Sequence, residues 1–180
     1  MNPSPMFPLR AMALSLEIFR PDEHHNSIYD LDFADLRKRG YSVILMDLDE
    51  TLLPREVISI SPLLLMFIEG LKDKGFKIYL LSNSFHPERV EYVAKKLSLP
   101  YASLAGKPLP FSFEKALKEL ETKRKDAIVI GDQLFMDILG GKLAGIYTIL
   151  VNPMNPENFW LRKIMRWAEK LVLDKLSLTL

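Results

Sequence analysis

Two carboxylates, Asp47 and Asp49, stand two residues apart directly behind the apolar run Val43-Ile44-Leu45-Met46. At the end of a buried strand such a pair repels, and the usual resolutions are a shared proton, a bound cation, or a division of labour between nucleophile and acid/base. Other apolar runs also close on polar groups. Ser82-Asn83 follows the run ending at Leu81, Lys107 follows Tyr101 to Leu104, and Asp132 follows Asp126 to Ile130, with Asp137 a little further on. Carboxylates hold a hard divalent cation, most simply Mg2+, through oxygen ligands. A lysine and a hydroxyl bind phosphoryl oxygens and stabilise transition-state charge. The set points to phosphate chemistry.

These residues can act together only if the chain gathers them. The spacing predicts alternating strands and helices: strand 43–49, helix Leu63 to Lys74 with Ser61-Pro62 at its start and Gly75 at its end, strand 76–81, and helix Pro87 to Leu97. A short strand 101–104, helix 111–121, strand 126–130, helix 134–144 and strand 147–151 follow. Continuous apolar strands separated by helices imply right-handed βαβ units, so the fold class is α/β with a parallel sheet covered on both faces. In such a sheet the strand ends lie on one edge, and residues far apart in sequence meet in one crevice.

Composition bounds the rest. The chain has 180 residues, 48% of them apolar, enough for one core and one domain. Its 24 basic and 23 acidic residues nearly cancel, which argues against a dedicated nucleic-acid binder. Cysteine is absent, excluding a disulfide framework and thiolate metal sites. No apolar run approaches the roughly 18 residues of a membrane span. The stretch Leu9 to Phe19 is interrupted by Arg10, Ser15 and Glu17 and precedes no small-residue cleavage site, so it does not read as a secretory signal.

Asp47-Leu48-Asp49-Glu50-Thr51 resembles the first motif, Asp-x-Asp-x-Thr, of the haloacid dehalogenase superfamily of phosphohydrolases. Leu81-Ser82-Asn83 is similar to its second motif, Lys107-Pro108 to the third and Gly131-Asp132-Gln133 through Asp137 to the fourth, in family order. The segments 131–138 and 145–151 further resemble the YqeG group, related to phosphatidylglycerophosphate phosphatases. That likeness covers about residues 20 to 170. Glu50 stands where the group usually has Asn, and Met136 where it usually has Thr.

The resemblance implies a Mg2+-dependent phosphomonoester hydrolase, cytoplasmic, with phosphatidylglycerophosphate as the leading substrate. Asp47 would be the nucleophile that forms an aspartyl phosphate, and Asp49 the acid/base. Ser82, Asn83 and Lys107 would bind the substrate phosphate, Asp47, Asp49 and Asp132 the metal, and Thr51 and Asp137 would support them from behind. Another exposed phosphomonoester (a nucleotide, a nucleic-acid end or a phosphoprotein) is the alternative substrate. A receiver-like signalling module or an assembly protein is the alternative without turnover. Asp49 argues against a receiver, because an acid/base beside the nucleophile supplies turnover that a switch does not want.

In this family a cap domain can follow the first or second motif. The gaps 52–60 and 84–106 are too short for one, so the crevice is expected to be open, which suits a large or membrane-embedded substrate. Residues 1–25 form an N-terminal segment that could be helical, with 26–180 as the phosphatase domain. Toward the C-terminus a helix of about 157–175 carries Trp160, Ile164, Trp167 and Leu171 at helical spacing, with Arg162, Lys163, Arg166 and Lys170 between them. This stripe could lie on a membrane surface as a peripheral contact, but packing on the sheet is the favoured reading. His24-His25 reads as surface loop, and His86 either lines the crevice or caps the helix at Pro87. Gly140-Gly141 lacks the spacing of a nucleotide-binding loop and reads as helix-end punctuation.

Overall fold

The computed structural model of the chain describes residues 16–155 and 160–176, with side chains in the last helix described from Trp167 onward. Its strands are β1 (Glu23–His25), β2 (Val43–Met46), β3 (Lys77–Leu81), β4 (Tyr101–Ala102), β5 (Ala127–Gly131) and β6 (Tyr147–Val151). The helices are α1 (Phe33–Lys38), α2 (Pro62–Asp73), α3 (Pro87–Leu97), α4 (Pro110–Glu119), α5 (Leu139–Leu143) and α6 (Trp160–Lys175). All six strands are parallel, in the order β1-β6-β5-β2-β3-β4. The chain runs outward from β2 through β3 to β4, then returns to β5 on the other side of β2. The order therefore reverses between β2 and β5, the place where open α/β sheets leave a crevice at their carboxyl ends.

Strand alternation sorts the core into two layers. Ile44, Met46, Ile78, Leu80, Ile128 and Ile130 face one side, against α2 and α3. Val43, Leu45, Tyr79, Leu81 and Val129 face the other, against Phe113, Ala116 and Leu117 of α4. All four residues of β2 are fully buried, each such side chain contributing roughly 1.5–3 kcal/mol of transfer free energy. This strand is thus the rigid post on which the site is mounted.

Local chemistry sets the helix ends. Ser61 accepts a hydrogen bond from the Leu64 amide at 3.1 Å and Pro62 occupies the first turn, so α2 starts where the sequence indicates. Leu64, Ile68 and Leu71 bury one stripe, and Gly75 leaves the helix at φ +82°. Residues 52–60 carry no helix or strand, and 84–106 hold only α3 and β4, so the expected absence of a cap domain is what the fold shows.

Four readings need correction. His24-His25 is the edge strand β1, paired with β6, whereas alternating apolar residues are missing because side-chain ties hold it. Glu23 accepts from Arg39 at 2.6 Å and from the Tyr147 hydroxyl at 2.9 Å, and His24 pairs with Asn152 at 2.9 Å. Gly140-Gly141 lies inside α5 rather than ending it: a Cβ at Gly140 would stand 2.6 Å from Phe113, and one at Gly141 would stand 2.6 Å from Thr148. These glycines let α5 lie close on the sheet.

The expected helix 134–144 opens with a wide π-type turn, Leu134–Ile138, before α5. In α6 Leu173 is buried, as is Leu176 just after it, while Trp167 is 64% exposed and Leu171 42% exposed, so the Trp167–Leu171 stripe does not face the core. Most of the segment 1–25 lies outside the described residues, as do the side chains of Trp160, Arg162, Lys163, Ile164 and Arg166. His86 precedes α3 but makes no side-chain cap bond.

Candidate active site

The Asp47 amide donates to the Ile130 carbonyl at 2.9 Å, extending the β2–β5 ladder one residue past the strand. This places Asp47 at the reversal point of the sheet. The chain then turns tightly. The Leu52 and Leu53 amides both donate to the Leu48 carbonyl, and Glu50 adopts a left-handed φ of +66°. That position suits the Asn usual in the group, yet Glu50 is buried and fully used. Its carboxylate accepts from the amides of Arg55 at 3.1 Å and Asn155 at 2.7 Å, and its carbonyl accepts from the Met154 amide. The longer acid thus ties the turn after Asp47 to the segment after β6.

Lys107 comes from the loop after β4 and enters the same crevice. Its ammonium donates to Asp47 Oδ1 at 2.5 Å and to Asp137 Oδ1 at 2.6 Å, and all three side chains are buried. Asn83 clips the lysine from behind: its Nδ2 donates to the Lys107 carbonyl and its Oδ1 accepts from the Lys107 amide, both at 2.9 Å. Both ends of that amide are therefore committed to placing Lys107. Met136 leaves its sulfur 3.8 Å from Asn83 Nδ2. Ser82, buried at the end of β3, accepts from the Ser84 amide at 3.1 Å and keeps its own hydroxyl proton to donate.

From β5 comes Asp132, whose Oδ1 accepts from the Thr51 hydroxyl at 3.2 Å. Asp137 is carried by the π-type turn, and its Oδ2 accepts from the Gln133 amide at 3.1 Å. A wide turn at a functional position is the common setting for this element. Asp137 can approach only because residue 131 is glycine, since a Cβ there would lie 2.2 Å from Asp137 Cγ.

Asp47, Asp132 and Asp137 each offer an oxygen within 4.8 Å of the others, all three buried. One ammonium touches two of them, so the cluster keeps an excess of negative charge. Asp47 Oδ2 is buried with no hydrogen-bond partner among the described residues. A bare carboxylate oxygen in an acidic, oxygen-lined cluster fits a hard divalent cation.

Burial pushes the Asp47 carboxyl up to about 7, and the Asp137 charge adds to this while Lys107 opposes it. For Lys107, burial works against the charge, but Asp137 and Asp47 outweigh it and hold the ammonium above its ordinary value. A carboxyl raised on folding contributes stability that is complete below its unfolded pKa, near 4, and is lost as pH rises through about 7. In chelator, the wild type should lose stability relative to Asp47→Asn as pH rises from 4 to 8. Urea melts of both proteins at the two pH values measure that gap, and a gap that does not move contradicts it.

Asp49 is buried differently. Arg89 donates to its Oδ1 at 2.5 Å and Arg55 stands 3.4 Å from its Oδ2. Sequence reasoning did not single out either arginine. The only signal was their nearness in sequence to the motifs, six residues after Asp49 and six after Asn83.

The sequence profile of the haloacid dehalogenase-like hydrolases matches residues 33–145. The chain is 33% identical over 161 residues to the Bacillus subtilis (strain 168) protein named "Probable phosphatase YqeG", across 89% of this chain and 93% of that one. It is 28% identical over 155 residues to "Phosphatidylglycerophosphate phosphatase 1, chloroplastic/mitochondrial" of Arabidopsis thaliana, where the match spans 79% of this chain and 44% of that protein. The crystal structure of an uncharacterized protein from Listeria monocytogenes serotype 4b shares the fold, with a TM-score of 0.52 at 19% identity, over 74% of this chain and 99% of that one. With its four motifs at one sheet edge and its sequence matched across that whole region, this chain belongs to the haloacid dehalogenase-like hydrolase family.

Proposed function

We propose that this hydrolase is a Mg2+-dependent phosphatase that works through a phosphorylated Asp47. The observation that carries the reading is Asp47 itself, fixed by Lys107 through one oxygen and left bare at the other, within a buried cluster of three carboxylates. Asp47 and Asp132, with the Asp49 backbone carbonyl, would hold the cation, and Asp137 lies in the same cluster. When bound, Mg2+ supplies the positive charge that lets an anionic nucleophile meet an anionic phosphate.

Asp47 attacks phosphorus in line. An Asp47–phosphorus bond forms as the ester bond to the leaving oxygen breaks, and that oxygen takes a proton from Asp49. Asp49 then removes a proton from water, whose oxygen displaces Asp47 and releases inorganic phosphate. The Ser82 hydroxyl and the Lys107 ammonium bind phosphoryl oxygens, with Asn83 keeping the lysine in place. Thr51 orients Asp132, and Asp137 orients Lys107.

For substrate, we infer a lipid phosphomonoester, with phosphatidylglycerophosphate leading. Its support is the relative of that name, the open crevice, and the apolar side chains on loops at the catalytic edge. Phe85 is 85% exposed, and Ile58, Leu104 and Leu109 are each more than half exposed. Isolated exposed apolar residues are ordinary, but several on one set of loops favour an amphiphilic ligand. Among the described residues no helix is long and apolar enough to cross a membrane. A peripheral contact with a bilayer would add Trp167 and Leu171 of α6, which are further exposed apolar groups.

A Mg2+-supplemented screen tests this reading, with phosphatidylglycerophosphate in mixed micelles set against nucleotides, sugar phosphates, a 5′-phosphorylated oligonucleotide and a phosphopeptide. The lipid should be hydrolysed with kcat/KM at least about tenfold above every soluble compound. A nucleotide or sugar phosphate at the top of the ranking rejects the lipid assignment.

A further inference from the structure

Arg55 and Arg89 both face Asp49, but their engagement differs. Arg89 is heavily engaged: besides Asp49, its Nε donates to the Val57 carbonyl at 3.3 Å, and one terminal nitrogen donates to the Pro54 and Val57 carbonyls at 3.0 Å. It is 11% exposed and serves as a fixed wall that pins the 54–57 loop to α3. Arg55 is nearly idle. Its guanidinium has one ion-pair contact, at 3.4 Å, and its Nε is buried with no hydrogen-bond partner among the described residues, while the side chain as a whole is 36% exposed.

A guanidinium is a rigid fork of five donors, and the buried Nε of this one is left without a partner, which is costly unless something fills it. Arg89 already holds Oδ1 of Asp49 at 2.5 Å, and Arg55 stands off at 3.4 Å from Oδ2, beyond ordinary hydrogen-bond length. The position is informative: Asp49 protonates the leaving oxygen, so the departing alcohol emerges beside Asp49 and hence beside Arg55. A cavity of about 390 Å³ lies next to Arg89 and the loop that carries Arg55, lined also by Ile58, His86, Tyr92, Glu56 and Glu88.

We propose that Arg55 is a substrate-binding residue that grips a second anionic group, a phosphodiester or a carboxylate, carried by the leaving alcohol a few bonds from the scissile phosphate. The inference rests on the phosphatase reading above and names the class of alcohol. Phosphodiester and guanidinium match as a two-point, charge-assisted pair. Selectivity would then come from one arginine on the first loop and need no cap domain.

The test compares four phosphomonoesters: glycerol 3-phosphate, whose leaving alcohol is neutral; 3-phosphoglycerate, with a carboxylate; the deacylated head group of phosphatidylglycerophosphate, with a phosphodiester; and the intact lipid in micelles. Wild type should prefer the head group over glycerol 3-phosphate by at least about tenfold, and Arg55→Ala should reduce that ratio by about ten- to a hundredfold, chiefly through KM. Arg55→Lys should restore part of it, since the charge remains while the fork is lost. Thermal melts confirm that the variants fold, and Arg55→Gln serves if Arg55→Ala does not.

Equal losses on all four substrates would show that Arg55 acts through Asp49 or the loop, and would overturn the proposal. So would a wild type without preference for an anionic leaving alcohol. A preference for 3-phosphoglycerate or the soluble head group, lost in Arg55→Ala but absent with micellar lipid, keeps Arg55 in this role and removes the lipid. No turnover of p-nitrophenyl phosphate overturns the phosphatase reading itself, and this proposal with it.

Discussion

Asp47→Asn should lower kcat by at least about 10³-fold on any phosphomonoester, because an amide of the same shape cannot attack phosphorus. The loss should come without unfolding. Asp47 sits in a cluster where burial already works against its charge, and the β2 strand beneath it is fully buried. In chelator at pH 8 the variant should melt at or above the wild-type temperature. Removal of one of three clustered carboxylates should also shrink the stabilisation that Mg2+ gives, since the gain follows the affinity of the folded state for the ion. Calorimetry with and without Mg2+ reads both effects. Turnover within tenfold of wild type would remove Asp47 from the nucleophile's place.

Lys107→Met should damage activity and stability together. The ammonium is the cation shared by Asp47 and Asp137, at 2.5 and 2.6 Å, with all three side chains almost completely buried. An apolar replacement leaves two buried carboxylates facing each other, and breaking a buried pair by removing one partner costs about 3–5 kcal/mol. The loss should be greatest in metal-free protein at neutral pH and smaller at pH 5, where a carboxyl of raised pKa takes up a proton instead. Loss of the lysine's stabilisation of transferring charge should reduce kcat by about 10²–10³-fold. A variant with wild-type melting temperature and kcat within tenfold would show that the three-way pairing matters little.

The core and the site were legible to different depths. Buried parallel strands announce themselves as unbroken apolar runs, so β2, β3, β5 and β6 could be read, and with them the edge where Asp47, Ser82, Lys107 and Asp132 meet. Strand β1 could not: Glu23-His24-His25 is held by ion pairs and side-chain hydrogen bonds at a sheet edge, which leave no apolar periodicity. Gly140-Gly141 resembles a helix end in one dimension, and only the packing of Phe113 and Thr148 against the two residues shows why side chains are excluded. For Asn83 the sequence indicates a place beside the phosphate, and the fold adds that its amide clips the Lys107 backbone.

The two arginines are the instructive omission. Arg55 and Arg89 sit among ordinary charged residues, and nothing in their spacing distinguishes them from a solvated face. What distinguishes them is the fold, which turns the 54–57 loop back onto the first turn of α3 and brings both cations to the carboxylate of Asp49. Pairing across such a loop is a long-range fact that residue patterns do not encode. Motif reading located the carboxylates, and the structure added the cations that restrain one of them.

In the proposed mechanism Asp47 itself carries the phosphoryl group between substrate and water. Acid-quenching the Asp49→Asn variant during turnover of p-nitrophenyl phosphate with Mg2+ tests this, because loss of the acid/base slows hydrolysis of the intermediate while the good leaving group still departs. Mass spectrometry of the digested protein should find one phosphoryl group, labile to hydroxylamine, on the peptide containing Asp47. A phosphoryl group on another residue, or steady release of phosphate from an enzyme that never becomes phosphorylated, would contradict it.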